Sequence, residues 1–283
     1  MAGQVVAFPR RDRPAEERAD GLELLLAGPE DERRATLLFL HGAAAGAWVW
    51  AEHVLPSLAA AGWRCAALSF RGHGHSYGRG LLHTWGLLDY LSDARAALAA
   101  LEGPVVIIAH SLGGLVAQML LGDPRIRGLV LMAPVPAEGL AAANMRLALT
   151  DPLLWQEVAR MPWLAAGLPA PQRLRHALFS EVLPEERATA HLSRMQPESL
   201  RALAEAQWPR PVGSARLLGV PALVLGSKAD PLVPQDAVLR TAWFHGADRA
   251  MLDRIGHAMM LDAEWEQPLG LTRAWLEGLR FEA

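Results

Sequence analysis

Cysteine is nearly missing from this chain. Cys65 is the only one, which excludes an intramolecular disulfide and any cysteine-based zinc site. Lysine is equally scarce: Lys228 stands alone, so the positive charge is carried by arginine, a compositional habit that implies no mechanism. An excess of one charge sign is missing too. The 27 basic and 30 acidic side chains leave a net charge of −3, which offers no basic face for nucleic acid and points to small-molecule partners. Long apolar runs are absent as well, because glycine, proline or charge interrupts each stretch well short of the roughly 20 residues that a membrane helix needs. The opening residues hold no more than four apolar positions in a row, too few for the apolar region of a leader. The expectation is therefore a soluble, cytoplasmic chain without stable membrane insertion, in which residues 1–20 form a solvated arm.

What the 283 residues do contain is a set of short, continuous apolar runs. "TLLFL" (36–40), "CAALSF" (65–70), "VVIIAH" (105–110), "LVLMAP" (129–134) and "ALVLGS" (222–227) have the length and composition of strands buried on both faces, with "AMLD" (250–253) a weaker sixth. Helical spacing lies between them. Val54, Leu55 and Leu58 precede a stop at Gly62, while Leu87, Leu91, Ala94, Leu98 and Leu101 step by three and four before Gly103-Pro104. Alternating strands and helices predict an α/β fold with a mostly parallel sheet flanked by helices. The rhythm breaks once, between residues 137 and 214. "DPLLWQEVARM", "QRLRHALF" and "PESLRALAEAQW" read there as short helices separated by prolines. The domain reading is a core of residues 21–136 and 215–283 with an inserted helical cap at 137–214, since a structureless loop of that length is improbable.

The chemistry centres on Ser111. It falls between the strand "VVIIAH" and the helix "LGGLVAQMLL", among the small residues Ala109, Gly113 and Gly114, as a serine on a sharp strand-to-helix turn requires. His110 is adjacent in sequence, but neighbours on a strand point to opposite sides, so its ring is read as packed beneath the turn. A serine hydroxyl needs a base, and the base an orienting acid, from elsewhere. Asp230, in a turn just beyond "ALVLGS", and His257, in the loop after the last strand, stand in the order that such an architecture uses. Each alone is an ordinary turn aspartate or loop histidine. Together with Ser111, each at a strand's C-terminal end, they form a candidate catalytic set. Two N–H donors for a developing oxyanion are then expected from Leu112 and from Ala43 in the small-residue loop "HGAAAGAW".

"HGAAAGAWVW", "FRGHGHS", "AHSLGG", "GSKADPLVP" and "GHAMMLD", in this order, resemble the α/β-hydrolase superfamily, closest to its lysophospholipase, monoacylglycerol-lipase and carboxylesterase-like serine hydrolases. The likeness spans roughly residues 34–280. It implies the α/β-hydrolase fold, Ser111 as nucleophile, Asp230 as acid, His257 as base, and Ala43 with Leu112 as oxyanion donors. Two positions depart from the pattern: Ala109 replaces the usual first glycine of the elbow, and Ser69 stands where many relatives carry aspartate, which is expected to alter a structural hydrogen bond.

The resulting expectation is a serine hydrolase that cleaves a carboxylic ester with an apolar acyl or alcohol part, with no cofactor and no metal. Trp155, Trp163 and Trp208 are read either as lining of an apolar pocket or as cap core. His73 and His75 form an H-x-H pair that is read as part of a glycine-rich loop in preference to a metal site. Thioester, lactone or C–C hydrolysis, or a lyase reaction, stays open on the same residues, the last because "HGAAAGAWVW" also resembles plant methylesterase and hydroxynitrile-lyase proteins. A ligand-binding receptor with little turnover is the alternative outside enzymes. Oligomeric state is not legible.

Overall fold

The computed structural model describes residues 21–29, 35–163 and 172–279; the N-terminal arm expected at 1–20 lies outside them. Seven strands form one sheet: β1 (Leu24–Ala27), β2 (Thr36–Leu40), β3 (Cys65–Leu68), β4 (Val105–His110), β5 (Ile126–Met132), β6 (Ala222–Ser227) and β7 (Asp248–Leu252). The order is β1-β3-β2-β4-β5-β6-β7. All neighbours are parallel except β1, which runs antiparallel to β3 with Leu24 opposite Leu68 and Ala27 opposite Cys65.

Every residue of β2, β3, β4 and β6 is buried, the physical counterpart of their unbroken apolar runs. The edges differ. β1 was not expected from sequence; its four residues are all half-buried. β7 begins at Asp248, two residues before the weak run, and its first two residues are exposed. β5 starts three residues ahead of its apolar run because Ile126 and Gly128 pair with β4.

The helices are α1 (Trp48–Ala51), α2 (Val54–Ala60), α3 (Leu87–Ala99), α4 (Ser111–Leu120), α5 (Ala141–Thr150), α6 (Pro152–Ala159), α7 (Gln172–Leu178), α8 (Glu185–Leu192), α9 (Leu200–Glu205), α10 (Ala215–Leu218), α11 (Gln235–His245) and α12 (Glu266–Gly278). α3 buries Leu87, Leu91, Ala94 and Leu98 on one face, as their spacing predicts. Within 137–214 the local signals act as stops and starts: Asp151 caps α6 by accepting the Leu154 N–H ahead of Pro152, and Ser199 caps α9 through Ala202. α5 to α9 all fall between β5 and β6 in the chain. Among the described residues no helix is long and apolar enough to cross a membrane.

From β2 the chain moves outward to β3, then returns to place β4 on the other side of β2. Successive connections therefore diverge at the β2/β4 boundary, and a crevice opens at the C-terminal ends of these two strands. "HGAAAGAW" follows β2 there, and Ser111 follows β4.

Candidate active site

Ser111 has φ +50°, a left-handed conformation that a side chain rarely adopts. It is held there by tight packing between β2 and the start of α4. A Cβ on Gly113 would lie 2.3 Å from the His41 carbonyl oxygen, and one on Gly42 would lie 2.6 Å from His110 Nδ1; only glycine lets the loop after β2 come this close to the elbow. Ala109, in place of the usual first glycine, sits fully buried in β4 opposite Leu40 and Leu131. Leu112 lies in the first turn of α4, where helical N–H groups have no partner within the helix. Among the described residues neither the Leu112 nor the Ala43 N–H donates to a protein acceptor, whereas the Ala44 N–H donates to Glu198 Oε2 at 2.8 Å.

Asp230 and His257 meet. The His257 Nδ1–H donates to Asp230 Oδ2 at 2.7 Å, and Asp230 Oδ1 accepts the Leu232 and Val233 N–H groups at 2.8 and 3.1 Å. Both side chains are buried. A neutral imidazole that donates from Nδ1 carries its lone pair on Nε2. The His257 backbone is fixed from two sides: its N–H donates to the Ala177 carbonyl of α7, and its own carbonyl accepts the His110 Nε2–H at 3.0 Å. Burial first, then the neighbouring His257 and His41, holds the His110 ring well below the ordinary imidazole range, so it stays neutral. His110 is buried as expected, although it also borders the cavity, 4.7 Å between ring centroids from His257.

Ser111, His257, Ala43 and Leu112 line one cavity of about 720 Å³, whose walls are otherwise mostly apolar side chains from the core and from α5 to α9. Among the described residues no hydrogen bond joins Ser111 to His257, a kind of contact that often forms fully only in the complex with substrate. Trp155 and Trp208 lie on the cavity wall but are also exposed, 41 % and 64 %, so neither is cap core. Trp163 departs from both readings. It is 62 % exposed and not among the lining residues, because the single turn Met161–Trp163 directs Met161 and Pro162 to the cavity and leaves the indole outside.

His73 and His75 turn to different carboxylates. His75 is exposed and its Nδ1–H donates to Glu23 Oε1 at 2.7 Å. His73 is fully buried, with Nε2 3.2 Å from Glu198 Oε2, an ion pair without the alignment of a good hydrogen bond. Burial opposes the charge on both partners, yet Glu198 raises His73, while His73, the Tyr90 hydroxyl and the Ala44 N–H hold the Glu198 carboxyl down at about 2.

A model of the alpha/beta hydrolase family matches residues 37–269. The chain belongs to that family. It is similar to Methylesterase 3 of Arabidopsis thaliana, 33% identical over 88 residues, which covers 30% of this chain and 33% of the relative; the match thus spans a third of that protein's length. Among solved structures, a hydrolase from Oleispira antarctica superposes with a TM-score of 0.67 at 17% identity, covering 93% of this chain and 97% of the other. The esterase RhEst1 from Rhodococcus sp. ECU1013 superposes with a TM-score of 0.67 at 21% identity, covering 92% and 95%. At these identities the two structures establish the shared fold.

Within this alpha/beta hydrolase chain, the departure at Ser69 has a local remedy. Ser69 Oγ donates to Glu23 Oε2 at 2.6 Å and accepts the Ala47 N–H at 2.8 Å, so a carboxylate from the residue preceding β1 stands behind the serine. Sequence reasoning missed Glu23, because β1 itself was not foreseen. It also missed Asp262, fully buried, which accepts the Gly256 and Ser180 N–H groups at 2.6 and 2.9 Å and so ties the His257 loop to the chain after α7. The "GHAMMLD" stretch contained that residue and gave it no role.

Proposed function

We propose that this chain is a serine hydrolase acting on carboxylic esters with an apolar acyl or alcohol part. One observation carries the reading: Ser111, on a strained strand-to-helix turn, faces the same apolar cavity as His257, whose Nδ1–H is held by buried Asp230. Such an arrangement suits acyl transfer.

In this reading Ser111 Oγ attacks the ester carbonyl carbon while its proton passes to His257 Nε2. Asp230 fixes the ring orientation and stabilises the imidazolium. The carbonyl oxygen becomes an oxyanion between the Leu112 and Ala43 N–H groups. His257 then returns the proton to the departing alkoxide, leaving an ester on Ser111, and water activated by the same imidazole releases the acid. The apolar walls of a cavity of about 720 Å³ favour apolar substituents on either side of the scissile bond. Residues 137–214 serve as the cap, since α5 to α9 supply much of that wall. The names of Methylesterase 3 and the esterase RhEst1 agree with this chemistry. The test is turnover of short p-nitrophenyl esters together with fluorophosphonate labelling: wild type should do both and Ser111→Ala neither. A folded protein that labels but turns over no ester or related acyl compound contradicts the enzymatic reading.

A further inference from the structure

Ala44 also has a left-handed backbone, φ +57°, although it carries a side chain. Such a turn persists when its surroundings hold it. Here both of its peptide groups are gripped by one distant segment: the Ala44 N–H donates to Glu198 Oε2 at 2.8 Å, and the Ala44 carbonyl accepts the Gln196 N–H at 2.9 Å. Gln196 Oε1 further accepts the Gly74 N–H at 2.8 Å. Residues 196–198 lie between α8 and α9, in the stretch read above as the cap, and Glu198 is itself locked. Its Oε1 accepts the Tyr90 hydroxyl and the Ser199 N–H, each at 2.7 Å, and His73 stands beside Oε2 as counter-charge. Neither Glu198 nor His73 lines the cavity.

The N–H that Glu198 holds belongs to the planar peptide joining Ala43 to Ala44. Fixing that plane limits the rotation available to Ala43, the residue whose own N–H is left without a protein acceptor. We infer that Glu198 is a positioning residue for charge stabilisation: reaching from the segment between α8 and α9, its carboxylate sets the turn at Ala44 and through it the aim of the Ala43 N–H. The hole is then complete only while residues 196–198 are seated, which couples the cap to the rate of the chemical step. This inference rests on the serine-hydrolase reading.

The experiment is steady-state kinetics on a p-nitrophenyl ester with Glu198→Ala and Glu198→Gln, beside wild type and Ser111→Ala. Removing an oxyanion donor outright costs about 10²- to 10³-fold in kcat; a misaimed donor should cost less. Glu198→Ala should lower kcat about 10- to 100-fold with KM within about threefold of wild type, since the lost interaction is made in the transition state. Glu198→Gln keeps an acceptor without the charge and should recover most of this, remaining about three- to tenfold down. Affinity for a trifluoromethyl ketone, whose adduct bears an oxyanion, should fall in parallel with kcat. Folded variants with wild-type kcat, or a loss confined to KM, overturn the inference. If Glu198→Ala does not fold because His73 is left unpaired, Glu198→Gln decides by the same two criteria. Absence of turnover in wild type, or full turnover in Ser111→Ala, instead refutes the underlying reading.

Discussion

Among the described residues the molecule holds two buried carboxylate–imidazole pairs, and they differ in what surrounds them. Asp230–His257 follows the ends of β6 and β7, and His257 lines the cavity beside Ser111. Glu198–His73 is sealed behind the loop after β2, with no surface on that cavity, and its carboxylate is fully committed to Tyr90, Ser199, Ala44 and His73. A ring whose Nδ1 is engaged by a carboxylate and which lines a cavity is placed for proton transfer; a pair closed on all sides is placed to hold a shape. Chemical type alone does not separate the two. Position relative to the strand ends does.

Removing groups from the open pair is the harshest way to break this comparison. Ser111→Ala and His257→Ala should each reduce ester turnover by about 10⁴- to 10⁶-fold, with the double variant scarcely worse, because the groups act as one unit. Asp230→Asn should cost on the order of 10⁴, since an amide at Oδ2 permits the wrong tautomer of His257. Equal losses from Glu198→Gln and His257→Ala in ester kinetics would erase the distinction between the pairs.

His110 sharpens the contrast from the other side. His110→Asn removes the donor to the His257 carbonyl, a buried hydrogen bond, and should lower stability by about 1–3 kcal/mol in urea denaturation while turnover stays within about tenfold of wild type. A folded His110→Asn as inactive as Ser111→Ala would show that the wrong histidine was assigned. Smaller still are the effects expected at the cavity rim. Trp155→Ala and Trp208→Ala should change the ratio of rates among p-nitrophenyl esters of different acyl length by a few-fold, whereas exposed Trp163→Ala should leave that ratio as it is; the same profile in all three would remove the two indoles from the substrate path. Least affected is Cys65. Burial pushes its thiol up to about 12, so it stays protonated at pH 8, and a thiol reagent should neither modify the native protein nor inhibit it. Rapid modification of folded enzyme at pH 8, followed by mass spectrometry, is the contrary result.

Much of this was legible in the residues because the central strands are buried on both faces. "TLLFL", "VVIIAH" and "ALVLGS" have no polar side to disguise them, and their C-terminal ends carry Ala43, Ser111 and Asp230. Edge strands lose that signature: β1 is half-buried and β7 opens with two charged, exposed residues, so one escaped notice and the other was displaced by two positions. Glu198 was illegible for another reason. Its bond to Ala44 spans 154 residues, and an isolated glutamate before a serine cap leaves no local periodicity or spacing to read. Trp163 shows the same limit, since a single helical turn decides whether a tryptophan faces a cavity or solvent.

The most direct test is to trap the intermediate. Mixing enzyme with a slowly deacylating p-nitrophenyl ester, quenching in acid within the burst and mapping the peptides by mass should find one acyl group on Ser111. It should be absent from Ser111→Ala and its formation strongly slowed in His257→Ala. Acylation of a different residue, or undiminished turnover by Ser111→Ala, would contradict the account.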